Sequence, residues 1–205
     1  MKGRKHLIEG RGARPRRVGY LEPRSLFLIV CEGGKTEPNY FRSFPLPPDS
    51  VVDVYGTGAN TISLVKKALV LSKERKYDQT WCVFDRDSFS AQNYNAALEC
   101  ARQNKIQVAY SNEAFELWYL LHFFYLNTGI TRDDYCKRLE KDDCLGHKYE
   151  KNSETIFDEL LAFQEDAIRN ARRLLAEYAP VNPVKDNPST TVHLLVEQLN
   201  RLSWD

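Results

Sequence analysis

No apolar run in this chain approaches the roughly 20 residues that a membrane-spanning helix needs. The basic start has no apolar segment behind it, so a secretory signal is not expected and the expected location is the cytoplasm. There are five cysteines (Cys31, Cys82, Cys100, Cys136 and Cys144) but no CxxC pair, and Cys31 and Cys82 lie in apolar runs, so reduced, buried thiols are expected. Cys136, Cys144 and His147 lack a fourth ligand and any finger-like spacing, which argues against structural zinc. No internal repeat is visible. A mononucleotide-binding loop is missing too. Gly34-Lys35-Thr36 looks like the end of GxxxxGK[ST], but the position of the first glycine is taken by Ile29, inside an apolar run.

What is present points to an ordinary globular chain with an uneven charge distribution. Its 205 residues suffice for one domain with a helical extension, and 42% apolar and 28% charged residues are typical values. Net charge is +1, yet residues 1–24 hold eight basic residues, Arg14, Arg16 and Arg17 among them, against Glu9 and Glu22. The remainder is therefore acidic. A basic, Gly- and Pro-containing arm can grip nucleic acid phosphates, or it can simply be a solvated tail; composition does not choose between them.

From residue 25 to residue 111 apolar runs alternate with helical patterns. Strands are expected at 25–31, 51–56, 80–85 and 106–111, with helices at 36–44, 61–74 and 89–104. Thr36 is positioned to cap the first helix, and Pro38 fits its first turn. Strands that are apolar throughout and separated by helices imply a parallel sheet with right-handed crossovers. Farther on, 115–126 reads as a buried helix, 131–141 as a polar helix capped by Thr131, 153–178 as one long amphipathic helix and 190–202 as a last helix, after a Pro/Asn-rich loop at 180–188. The expected organisation is a basic arm (1–24), an α/β core (25–126) with a mainly four-stranded parallel sheet flanked by helices, and a C-terminal helical extension (127–205).

In an open parallel sheet, ligands bind beyond the carboxyl ends of the strands. Glu32 follows the first strand, Asp85-Arg86-Asp87 the third and Ser111-Asn112-Glu113 the fourth. Carboxylates from separate strands should thus meet on one edge of the sheet. Like charges so close raise one another's pKa unless a cation lies among them, and carboxylate oxygens without nearby His or Cys suit Mg²⁺ or Mn²⁺. Asp85 and Asp87 are the expected metal ligands, and Glu32 a further ligand or a general acid or base. Glu116 can add a carboxylate to a second metal. Lys35 and Arg86 can pair with phosphate oxygens, and Lys151 can join from the loop before the long helix. Glu37 fits the first helical turn through the helix dipole as well as it fits a functional role. Ser111 and Asn112 can cap the next helix or touch phosphate. His122, in an aromatic-rich stretch, reads as a core histidine, and Gly56 and Gly58 as turn residues.

Glu32 after the first strand and Asp85-x-Asp87 after the third resemble the Toprim domain of topoisomerases, primases and related nucleases. Four longer words, IVCEGGKTEPNYF, FDRDSF, SNEAFELWYLLHF and NPSTTVHLLVEQL, in this order, resemble the RloB-like family over roughly residues 25–202. The resemblance implies a Toprim-like Rossmannoid fold and a metal-dependent endonuclease that cuts RNA (tRNA included) or DNA. It further implies catalytic and metal-binding roles for Glu32, Asp85, Asp87 and Glu116, with Lys35 assisting. Nucleic acid contacts would fall to Arg86, Ser111, Asn112, Lys151 and the arm. The biological setting it implies is bacterial or archaeal anti-phage defence, abortive infection included, with an AAA/ABC-type ATPase partner and a homodimer as one possible assembly. A non-catalytic nucleic-acid-binding subunit of such a complex is the alternative, and a Toprim primase or nucleotidyl transferase ranks last, because no zinc module or nucleotide loop accompanies the fold.

Overall fold

The computed structural model describes residues 25–58, 61–86 and 90–202. The basic arm with Arg14, Arg16 and Arg17, and also Asp87, lie outside the described residues.

An interior strand of the sheet is β1 (Ser25–Cys31). Its alternate residues face opposite sides. Phe27, Ile29 and Cys31 enter one apolar cluster, while Leu28 and Val30 enter another. Such burial on both faces explains the unbroken apolar run. β2 (Ser50–Gly56) and β3 (Gln79–Asp85) flank β1 in parallel, and β4 (Gln107–Asn112) runs parallel to β3. The sheet order is β2-β1-β3-β4-β5, a mixed α/β arrangement compatible with the expected Rossmannoid core. The fifth strand was not foreseen. β5 (Ser189–Thr190) is only two residues long and pairs antiparallel with Ser111 and Asn112.

The helices α2 (Thr61–Leu71) and α3 (Ala91–Gln103) cover one face with Leu64, Val65, Ala68, Tyr94, Ala97 and Ala101. Ser90 caps α3 by accepting a hydrogen bond from the Asn93 amide. The other face carries the larger core, formed by α1 (Thr36–Arg42), α4 (Glu116–Leu120), α5 (Arg132–Leu139), α6 (Ile156–Leu161), α7 (Gln164–Ala176) and α8 (Val192–Leu202). Tyr40, Phe41, Phe44, Phe115, Tyr119 and Phe157 interlock there through edge-on and tilted ring contacts.

Three helices depart from the sequence expectation. The run 115–126 is helical only over Glu116–Leu120 and continues as turns, with the Leu121 carbonyl accepting from Asn170 Nδ2 at 2.8 Å. The expected helix 153–178 is two helices, α6 and α7. At the break Phe163 packs on Phe123, and buried Gln164 accepts from Asn200 Nδ2 at 2.6 Å. No proline or glycine marks this break; tertiary contacts override local propensity. Thr36 does not cap α1 either. Lys35 holds the cap position, and Thr36 Oγ1 donates instead to Asn152 Oδ1 at 3.0 Å. Thr131, by contrast, caps α5 as expected, accepting from the Asp134 amide.

His122 is buried, and burial pushes its pKa down to about 4. The five cysteines are free thiols, and burial pushes Cys82 up to about 12. Among the described residues no helix is long and apolar enough to cross a membrane.

Candidate active site

A cleft of about 220 Å³ opens at the carboxyl edge of the sheet, between the β1–α1 loop, the end of β3, the start of α4, the start of α5 and the loop before α6. The register sets its floor. Cys31 lies beside Val83, so Glu32 and Asp85 emerge from neighbouring strands at nearly the same height. The Glu32 amide donates to the Val83 carbonyl at 2.8 Å, and Glu32 Oε2 accepts from the Asp85 amide at 3.2 Å. Beyond β2, Gly58 N–H donates to the Glu32 carbonyl at 2.8 Å, which fixes the backbone of this residue from the other side.

Two glycines shape the turn. A Cβ on Gly33 would stand 2.0 Å from Glu37 Oε2, so this position must stay bare for the Glu37 carboxylate to lie over the backbone. There it hydrogen-bonds to the Gly33 amide and to its own. A Cβ on Gly56, at the end of β2, would stand 2.6 Å from the Gly34 carbonyl, so Gly56 lets the turn pack against the sheet.

Four carboxylates line the cleft, from Glu32, Glu37, Asp85 and Glu116. Glu37 and Glu116 are buried, and the Asp85 side chain is 14% exposed. Burial raises the pKa of Asp85 well above the usual carboxylate range. The charges of Glu37, Glu116 and Glu32 add to this, and the Arg132 guanidinium opposes it. Burial also raises Glu37, the Glu116 charge adds to it, and the two amides and Lys151 work against it. Among the described residues, the cations that line the cleft with these acids are Arg132, whose Nη2 lies 2.9 Å from Asp85 Oδ2, and Lys151. Tyr149 Oη donates to Glu116 Oε1 at 3.2 Å. Asn152 closes the wall, accepting from Thr36 through its side chain and from Asn39 Nδ2 through its carbonyl.

Of the residues proposed from sequence, Glu32, Asp85, Glu116 and Lys151 share this cleft. Lys35 is exposed and is not part of the lining. Ser111, Asn112 and Arg86 lie outside the cleft lining. Ser111 and Asn112 are buried and point their polar atoms toward the C-terminal part: Ser111 Oγ meets Thr190 Oγ1 at 3.0 Å, and Asn112 Nδ2 donates to the Asp186 carbonyl at 2.7 Å. They hold β5 on the sheet edge. The Arg86 guanidinium lies over the Tyr94 ring, 5.4 Å from its centroid, on the α3 side.

Sequence reasoning left Glu37 undecided and missed Arg132, Tyr149 and Asn152. Only the Gly33-Gly34 pair, five residues from Glu32 to Glu37, carried a signal for Glu37. Arg132 is 47 residues from Asp85 and begins a helix that reads as polar, so nothing local announced it.

The donors suit a hard divalent cation in chemistry: they are carboxylate oxygens, pressed together with less positive charge than they need. Their present placement is looser than a coordination shell. Among the described residues no three His, Cys, Asp or Glu side chains converge enough to hold one metal ion. No curated protein sequence and no solved structure matches the chain. A family model does, that of the RloB-like protein, over residues 27–199. With most of its length inside that match, the chain is a member of the RloB-like family.

Proposed function

We propose that this protein is a Mg²⁺- or Mn²⁺-dependent nuclease that hydrolyses phosphodiester bonds in RNA or DNA. The observation that carries the reading is the meeting of Glu32, Glu37, Asp85 and Glu116 with Arg132 and Lys151 in one cleft at the carboxyl edge of a parallel sheet. An acidic pocket is a poor host for a phosphodiester unless a cation mediates, and raised carboxylate pKa values are what crowded metal-ligand acids show without one.

Asp85, Glu37 and Glu116 are the residues that would hold the ion. When bound, the ion supplies charge neutralisation at the phosphate and acidifies a coordinated water. Glu32 is suited to hold or move a proton, because its Oε2 is oriented by the Asp85 amide at the floor of the cleft. Lys151 and Arg132 are suited to pair with non-bridging phosphate oxygens. Tyr149 orients Glu116, and the Gly33 amide orients Glu37. The resemblance noted from sequence supports a place in anti-phage defence beside an ATPase partner.

A second reading, a non-catalytic nucleic-acid-binding subunit, is favoured by one observation: the described carboxylates do not converge into a ligand shell. A cleavage assay separates the two. The protein, alone and with a candidate AAA/ABC-type ATPase partner, is incubated with labelled tRNA, single-stranded RNA and duplex DNA in Mg²⁺ or in chelator. Cleavage is expected in Mg²⁺ only, and about 100-fold or more below wild type in Asp85→Ala and Glu32→Ala. Cleavage that persists in chelator or in both variants would sink the assignment. Binding without cleavage under every condition would establish the second reading.

A further inference from the structure

Arg132 stands in an unusual place for a metal-dependent cleft. It is the first residue of α5, anchored by the Thr131 cap, and its side chain reaches across to the end of β3, where Nη2 lies 2.9 Å from Asp85 Oδ2. The Arg132 side chain is 35% exposed, while that of its partner Asp85 is 14% exposed. The cation therefore sits on the solvent side of the acid, where the cleft opens. The other acids of the cleft, Glu37, Glu116 and Glu32, repel charge at Asp85, and Arg132 relieves part of that repulsion.

A divalent ion and this guanidinium would compete. An oxygen that accepts a charge-assisted hydrogen bond has less electron density to offer an ion, and two cations drawn to one carboxylate repel each other. Lys151 also lines the cleft, but the ion pair to Asp85 is made by Arg132, so these two cations are not equivalent. Arg132 also has somewhere to go. Its chain is long, its head is partly solvated, and a phosphodiester bound in the cleft offers the planar two-oxygen partner that guanidinium prefers.

Resting on the metal-dependent reading above, we propose that Arg132 is a built-in counter-cation that a divalent ion must displace from Asp85, and that the displaced guanidinium then binds the substrate phosphate. The residue thus weakens metal binding before substrate arrives and strengthens substrate binding once metal is in place. A residue with a merely structural role would, when removed, weaken both.

The test is Mn²⁺ titration, followed by electron paramagnetic resonance, of the full chain as wild type and as Arg132→Gln, Arg132→Met and Arg132→Lys. Circular dichroism checks the fold of each, and Gln and Met serve as independent replacements in case one does not fold. Without nucleic acid, Gln and Met are expected to bind Mn²⁺ about tenfold tighter, a size set by one removed charge near the ion, and Lys within about twofold of wild type. With saturating Ca²⁺ in place of Mn²⁺, the same two variants are expected to bind a labelled oligonucleotide about tenfold more weakly. Equal or weaker Mn²⁺ binding in Gln and Met overturns the displacement and leaves the metal site standing. Unchanged oligonucleotide affinity overturns the phosphate role. Absence of saturable Mn²⁺ binding in all four proteins overturns the metal-dependent reading, and this inference with it.

Discussion

Two stretches of the same strands obey opposite rules. Along β1 and β3, Leu28–Cys31 and Trp81–Phe84 are buried, neutral and interlocked with helices on both faces. One residue farther along each strand, Glu32 and Asp85 enter a cleft whose acids crowd one another and where the pKa values of Asp85 and Glu37 rise. The first stretch gains stability from burial, and the second loses some to it. The rigid interior is what allows the costly edge to persist, because unfavourable charge is held in place by strands that cannot shift independently. Titration makes the contrast visible. The core histidines are neutral because burial lowers their pKa, and they penalise acid. Asp85 and Glu37 are raised by burial, and they penalise base.

The largest effect expected from breaking this comparison is in the dry part. Ile29→Ala should cost about 2–5 kcal/mol in denaturant unfolding, because a fully buried side chain leaves a cavity that strands on both sides cannot close. Next is His122. Its native pKa of about 4 lies below the unfolded value near 6.5, so between these values the unfolded chain binds more protons. Its contribution is complete above about pH 6.5 and is lost as pH falls toward 4. The loss is up to about 3 kcal/mol by linkage, and His122→Phe should flatten that part of the pH–stability profile. An unchanged acid slope in the variant would show that the histidine is not held neutral.

At the edge the expected effects on stability are smaller and those on activity larger. Gly33→Ala should cost only about 1 kcal/mol, since the new Cβ meets the far end of the flexible Glu37 side chain, but the displaced carboxylate should remove the proposed cleavage activity. In Glu37→Gln the sign reverses. The folded pKa of Glu37 is raised, so the wild type in chelator should lose stability as pH climbs from the unfolded value near 4.3 through the native one. Thermal melts of the variant should lack that decline, and it should be inactive while at least as stable at neutral pH. A variant less stable than wild type there would mean that the carboxylate is better solvated than its burial implies. The smallest change should come from Gly34→Ala, within about 0.5 kcal/mol, because nothing lies within 4 Å of its added Cβ. The contrast between adjacent glycines isolates the Glu37 contact from any general effect of alanine in the turn.

What could be read from sequence follows the same division. β1 was legible to the residue, because a continuous apolar run has one good home, a strand buried on both faces. That Glu32 and Asp85 would share an edge followed from strand order alone, before any side chain was placed. The break between α6 and α7 was illegible, since it depends on Phe163 meeting Phe123 and Gln164 meeting Asn200 across the fold. β5 was hidden for a similar reason. Two residues carry no periodicity, and Thr190 both accepts from the Val192 amide at the start of α8 and completes the sheet. The cations of the cleft divide likewise: Lys151 was placed among the candidates, but Arg132 comes from a polar helix whose sequence gives no hint of its partner in β3.

The central claim is that the carboxylates at this edge form the site of a divalent metal. Crystals soaked in Mn²⁺, with anomalous differences recorded at the manganese edge, test it most directly. The account predicts a peak in the cleft within about 2.0–2.3 Å of oxygens from Asp85 and at least one of Glu32, Glu37 and Glu116, with Arg132 moved off Asp85. A cleft without a peak at saturating Mn²⁺, or a peak only elsewhere on the molecule, would contradict it.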